Sequence, residues 1–449
     1  MSPTKSRRER KPQPIPALTK PRKQRLPSIA ERTLASGLRV VAVRRASVPL
    51  VHLRLRVPNA IRRDADLART AVLSRTMMLG TSTRSQGELA EALQRLGGGL
   101  RVDDGADGLS FGGESLKSEL GGLLGLLAEV LTDAAYPRAA SEREAGRLGD
   151  HLRRALSQPG VVADEAWLDR RYGEHPYGRS LPTPDEVAEV APRSLRALHR
   201  RRVVPRGSLL VLVGDLTPAR ALDQVEKALG GWQADGTGAD VPAVPDVPHV
   251  PLLLVDRPGA VQSNLRLGGR AVRRTDEGYA AAQLANGIYG GSFSSRLTQN
   301  IREDKGYTYS PHSSVRHLRG DSRFLTSADV ATEVTAPAMV EVLYELGRIA
   351  SLPPTPDELE STVQYLTGTL ALGTATQAGL AETLVDLMSD GKGVDWLQEY
   401  PARLAATTPE DVQEAAASML APASLVSVVV GDADVVEPGL SMLMEVVRR

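Results

Sequence analysis

The 449-residue chain contains no cysteine. Disulfides, thiolate nucleophiles and cysteine-ligated metals are therefore excluded, and any metal site would have to be built from His, Asp and Glu. Aromatic residues make up only 4%, with three Phe and three Trp, so large cores must be filled by Leu, Val and Ala. No run approaches the roughly 18 apolar residues that a membrane span requires, and no long apolar segment of a secretory leader stands near the start. No G-x-S-x-G nucleophile elbow is expected, and no G-x-x-x-x-G-K-[ST] phosphate loop occurs. The glycine runs at 97–99 and 290–291 lack the strand–loop–helix setting of a phosphate cradle.

The charge that is present is unevenly spread. Residues 1–26 hold nine Lys and Arg against one Glu, plus five prolines, so the remaining chain is net −7 within a total of +1. The arm is expected to be disordered and basic. A nucleic-acid role for it is disfavoured by the acidic body, and a cytoplasmic location is expected. With 41% hydrophobic and 24% charged residues, the body is of ordinary globular composition and long enough for more than one core.

The body repeats itself. Thr183-Pro184-Asp185-Glu186-Val187 returns as Thr408-Pro409-Glu410-Asp411-Val412, in each case an N-cap, a first-turn proline and carboxylates against the helix dipole. Apolar runs follow at 209–213 and 425–430, each ending in Gly-Asp. Earlier runs at 38–43 and 51–57, predicted to form a hairpin, have counterparts at 252–255 and 264–267. Helices are predicted at 66–79, 116–131, 140–155, 277–288, 293–303, 336–349 and 356–370. Turn-rich sheet segments are predicted at 97–114 and 314–330. Residues 233–250, QADGTGADVPAVPDVPHV, have linker composition. The expected fold class is α+β: two tandem similar domains, 27–232 and 251–449, each a mostly antiparallel sheet packed with helices.

The most informative stretch is YGGSFSSRLTQNIREDKGYTYS, residues 289–310. Gly290 and Gly291 break one helix, and Ser292, Ser294 and Ser295 offer caps for the next. Phe293, Leu297 and Ile301 form an i, i+4, i+8 stripe predicted to be buried. Gly306 closes the helix, and 307–309 are predicted to begin a strand. Arg302 and Tyr309 are thereby expected to face one space. Taken alone, an Arg in a last helical turn commonly complements the dipole, and a strand Tyr is commonly packing.

The surrounding residues resemble the second-half signature of the pitrilysin/insulinase family of zinc peptidases, the inverzincins. That signature, S-R-L-x-x-x-I/V-R-E-x-x-G-x-x-Y-S, is matched by Ser295, Arg296, Leu297, Ile301, Arg302, Glu303, Gly306, Tyr309 and Ser310. The resemblance implies two alike lobes clasping a central chamber, with Arg302 and Tyr309 reaching the zinc site of the opposite half. The family's zinc motif, H-x-x-E-H on a helix, carries two ligands and a general base. It precedes M-L-F-x-G-T, a frame occupied here by 76–81. Its three positions then fall on Ala71, Ser74 and Arg75, and the downstream Glu ligand falls near Gly149. None of these is a zinc ligand, and Arg75 would repel a cation.

The seven histidines offer no replacement: none are spaced i, i+4, and His312 and His317, predicted to flank a strand turn, lack a third ligand. No cofactor is expected on this chain. The resemblance implies a catalytically incomplete subunit of a heterodimeric zinc metallopeptidase, with zinc on a homologous H-x-x-E-H partner and a peptide or unfolded protein as substrate. The alternative is a non-enzymatic structural or peptide-binding subunit of the same fold.

Overall fold

A computed structural model describes residues 27–59, 64–234 and 240–449. The basic arm lies outside the described residues, as does 235–239 of the linker stretch. The first sheet contains β1 (Ile29–Thr33), β2 (Arg39–Arg44), β3 (Leu50–Pro58), β4 (Gly99–Gly105), β5 (Gly108–Leu116) and β6 (Leu209–Gly214). The second contains β7 (Leu252–Asp256), β8 (Gln262–Arg270), β9 (His312–His317), β10 (Ser322–Ala331), β11 (Val426–Gly431) and β12 (Val446–Arg448). Their orders are β1-β2-β6-β3-β5-β4 and β12-β7-β11-β8-β10-β9. The fold class is α+β, with two similar six-stranded sheets and many helices.

The repeat in the sequence shows in this topology. The apolar strands that end each repeat insert in the same way, β6 between β2 and β3 and β11 between β7 and β8, each parallel to the first of its neighbours and antiparallel to the second. The predicted hairpins at 38–57 and 252–267 are therefore not formed. Two runs, LLVLVG and VSVVVG, apolar but for Ser427, are buried on both faces and claim the sheet centres, which displaces the local pairing. Both Thr-Pro repeats form capping boxes, Thr183 with Glu186 and Thr408 with Asp411.

The halves exchange helices. One face of the first sheet, through Val40, Ala42, Leu210 and Leu212, packs on helices of its own half. The other, through Val41, Val43, Val211 and Val213, joins a core that includes Leu380, Leu384 and Val385 of the Gln377–Ser389 helix from the second half. Reciprocally, Trp167 and Tyr172 of the Pro159–Tyr172 helix cover Val426 and Val428 of the second sheet, and the Trp167 indole N–H donates to the Val426 carbonyl at 3.1 Å. The ion pairs repeat as well. Arg54 on β3 bonds Glu382 at 2.6 Å and the Leu53 carbonyl at 2.9 Å; Arg266 on β8 bonds Asp164 at 2.6 Å and the Leu265 carbonyl at 3.0 Å. Each central-strand arginine thus holds a carboxylate on the helix lent by the other half.

Candidate functional site

The 289–310 segment is built from two wide turns rather than one regular helix. The Tyr279–Asn286 helix opens into a π turn over Gly287–Gly291. Close packing requires glycine at 290, where a Cβ would lie 2.9 Å from the Ser313 side chain. Ser295 caps the next turn, Arg296–Thr298, by accepting from the Thr298 N–H. A second π turn follows at Gln299–Asp304, where the Lys305 N–H reaches back to the Asn300 carbonyl at 3.0 Å. Gly306, at φ +66°, closes it: its N–H donates to Arg302 and that of Tyr307 to Ile301, at 3.1 and 2.9 Å.

Leu297 and Ile301 are buried as predicted, but Phe293 is 69% exposed. The helical register starts only at the Ser295 cap, so Phe293 falls outside the stripe. Nor do residues 307–309 enter a strand; β9 begins at His312, and Tyr307–Ser310 form a loop tied to β10 by the Thr308 hydroxyl, which donates to the Asp329 carbonyl at 2.6 Å. The loop nevertheless brings Arg302 and Tyr309 together. The Arg302 guanidinium carbon lies 4.8 Å from the Tyr309 ring centre and 4.7 Å from that of Phe293, so two aromatic rings bracket the cation. Arg302 Nε also stands 3.2 Å from Glu303.

Arg302 and Tyr309 line an open cavity of about 590 Å³ together with Gln262, Glu303 and Asp329. Every residue lining it belongs to the second half. Tyr309 is 80% exposed, and its hydroxyl makes no hydrogen bond among the described residues. Signature residue Arg296 has a different place: it is buried and grips Glu358 with two hydrogen bonds at 2.7 and 2.9 Å. Glu358 in turn caps the Pro356–Gly373 helix through the Thr355 N–H, and the Arg296 bonds pull its pKa down to about 2. Asn300 donates to Glu341 and Glu345, and Lys305 pairs with Glu341 at 3.1 Å. The segment is thereby pinned to two helices behind it.

The degenerate motif lies on the Asp64–Thr76 helix. Ala71 is buried; Arg75 is exposed. The buried Ser74 hydroxyl is 2.6 Å from Asp104 Oδ1 and 3.0 Å from the Ala71 carbonyl. Gly149 is buried on the Arg138–Leu156 helix. A methyl, one committed hydroxyl, a solvated guanidinium and a glycine do not make a zinc ligand set, so these positions do not fit the metal. His312 and His317 stand at the two ends of β9 rather than around a turn. His317 bonds Ser322 at 2.8 Å, and burial lowers its pKa to about 4. Sequence reasoning passed over one string: Gly108-Leu109-Ser110-Phe111-Gly112 fits G-x-S-x-G, but it runs through β5, where Ser110 accepts from Arg56, and forms no strand-to-helix elbow.

Residues 190–366 match the family model described as the peptidase M16 inactive domain, a stretch that includes Arg296, Arg302 and Tyr309. Residues 190–366 thus carry an M16 (pitrilysin/insulinase) peptidase inactive domain. An uncharacterised zinc protease of Streptomyces coelicolor is 24% identical over 414 residues, covering 88% of this chain and 87% of that protein. An uncharacterised zinc protease of Bacillus subtilis, YmxG, is 25% identical over 77% of this chain and 84% of its own length. Among solved structures, the M16 inactive domain from Pseudomonas fluorescens superposes with a TM-score of 0.83 at 21% identity, over 90% of this chain and 98% of that one. The first half of the periplasmic protease PqqL of Escherichia coli gives 0.72 at 15% identity, over 92% and 93%. These structures share the fold of this chain.

Proposed function

We propose that this chain is the subunit without zinc in a two-chain peptidase, and that it presents Arg302 and Tyr309 to substrate bound at the metal site of a homologous H-x-x-E-H partner. The observation that carries this reading is the asymmetry between the halves. The second half holds Arg302 and Tyr309 at one open cavity with no first-half wall, whereas the first half has lost its ligand set at Ala71, Ser74, Arg75 and near Gly149. A site so open on one side is suited to completion by another molecule.

In this reading the partner's metal centre supplies the hydrolytic chemistry. A peptide or unfolded protein enters extended. The free Tyr309 phenol donates its O–H to the oxygen that becomes negative in the tetrahedral intermediate. The Arg302 guanidinium, held between Phe293 and Tyr309, donates to substrate carbonyl oxygens on the same side. Donors fixed where charge develops act in the transition state, so losing either costs about 10² to 10³ in kcat. In the reconstituted pair, Tyr309→Phe is expected to leave the association constant unchanged and to lower kcat by that factor, as read by stopped assays on a quenched peptide library. Unchanged kcat would leave the alternative reading, a peptide-binding subunit without catalysis, which the exposed rings of Phe293 and Tyr309 also suit.

A further inference from the structure

The face of the second sheet that meets the Pro159–Tyr172 helix carries a row of arginines. Arg316 on β9 stands directly opposite Arg323 on β10, and Arg323 directly opposite Arg270 on β8. Residues so opposed project to one side, and like charges there repel. A fourth guanidinium, Arg171, comes in from the helix at 1% exposure and feels both Arg270 and Arg323. The one carboxylate buried among them is Asp321, 3.4 Å from Arg171, 3.7 Å from Arg270, and accepting the Tyr172 hydroxyl at 2.9 Å. Arg323 is spread over the rings of Trp167 and Tyr172, 5.6 Å from each centre. Arg316 makes neither an ion pair nor a hydrogen bond among the described residues.

Arg316 borders a second cavity, of about 610 Å³, that lies between the lobes and takes walls from both. Five arginines line it against three aspartates. Those aspartates are already engaged: Asp386 with Arg56 at 2.9 Å, Asp390 with Arg274 at 2.5 Å, and Asp107 with the Tyr177 hydroxyl and the Arg319 N–H at 2.5 and 3.0 Å. Three of the arginines are paired as well, Arg39 with Glu31, Arg56 with Glu382 and Asp386, and Arg274 with Asp390, whereas Arg316 has no ion pair among the described residues. The Arg316 side chain is exposed where it lines the cavity; partial burial and then Arg323 lower its pKa from the ordinary value, and Asp107 opposes the shift.

We propose that the inter-lobe cavity is a binding site for a small molecule bearing a multivalent oxyanion, which Arg316 engages and which neutralises the Arg316–Arg323–Arg270 row. A guanidinium fork matches both carboxylate and phosphate oxygens. The volume lies within the range of small-molecule sites, about 300–1,000 Å³, and exceeds the needs of a lone phosphate. The site shares no lining residue with the Arg302 cavity and does not depend on the peptidase reading.

The test is isothermal titration calorimetry of the full chain with inorganic phosphate and, separately, citrate, at fixed ionic strength. Saturable binding of at least one is expected, and the preferred anion identifies a phosphate-bearing or a polycarboxylate ligand. Arg316→Gln should weaken it by about tenfold or more, the loss of one charge-assisted contact. Arg75→Gln, at an exposed arginine that does not line the cavity, should leave it unchanged. Thermal denaturation in anion-poor buffer gives a second reading: Arg316→Gln removes a charge directly opposite the like charge of Arg323, so its Tm should equal or exceed that of the wild type. Absence of saturable binding by either anion, wild-type affinity in Arg316→Gln, an equal loss in Arg75→Gln, or a lower Tm of Arg316→Gln in anion-poor buffer would each overturn the proposal.

Discussion

Two arginines six residues apart in the same signature have opposite fates. Arg296 is buried and holds Glu358 through two hydrogen bonds; Arg302 is bracketed by two exposed rings beside an open cavity. The first holds the segment in place, and the second is available to a ligand. The Arg296–Glu358 pair gives a stability prediction with a definite sign. Glu358 has a folded pKa near 2, below the value of about 4.5 for an unperturbed glutamate. Its contribution is therefore fully present above about pH 4.5 and is lost as pH falls toward 2. Arg296→Gln should lower unfolding free energy at pH 7 by about 2–3 kcal/mol, the value of charge-assisted hydrogen bonds. It should also flatten the pH dependence between 4.5 and 2. Urea titrations of both proteins across that window read both effects, and parallel curves would count against the assignment.

The elements around the site place Arg302 and Tyr309 through turns, not through a helix and a strand. Gly306 sits at positive φ with open space around a would-be Cβ, so Gly306→Ala carries a backbone cost alone. A loss of about 1 kcal/mol is expected in denaturant unfolding, and a variant as stable as wild type would mean that the turn is not held in this conformation. Much of this was legible in the sequence. The caps at Thr183, Ser295 and Thr408, the break at Gly290 and the closure at Gly306 all follow from residue chemistry within a few positions. Phe293 was misplaced because a period of four says nothing about where a cap starts the register. The hairpins were mispredicted because the insertion of β6 and β11 is decided by the burial of distant apolar strands. The exchanged helices and the arginine row had no local signal, since their partners lie far apart in the chain.

At the scale of the whole molecule, helix exchange makes the two halves interdependent. Residues 1–234 alone would leave Val41, Val43, Val211 and Val213 without the Gln377–Ser389 helix, and residues 240–449 alone would leave Val426 and Val428 without Trp167. Exposed apolar faces of that kind aggregate. Each fragment expressed alone is expected to be insoluble and the two co-expressed to purify as a stoichiometric complex; a soluble, cooperatively unfolding fragment would contradict this.

Function is proposed at the same scale. The Arg302 and Tyr309 cavity is walled by the second half alone, and the motif positions of the first half do not fit zinc. The decisive measurement is cleavage of a quenched peptide library by this chain, by a homologous H-x-x-E-H chain, and by their mixture, with zinc quantified in each. A two-chain peptidase of this kind should show no cleavage by this chain, little by the partner, and strong cleavage by the mixture with zinc tracking the partner. Full activity of the partner alone, or zinc-dependent cleavage by this chain alone, would contradict it.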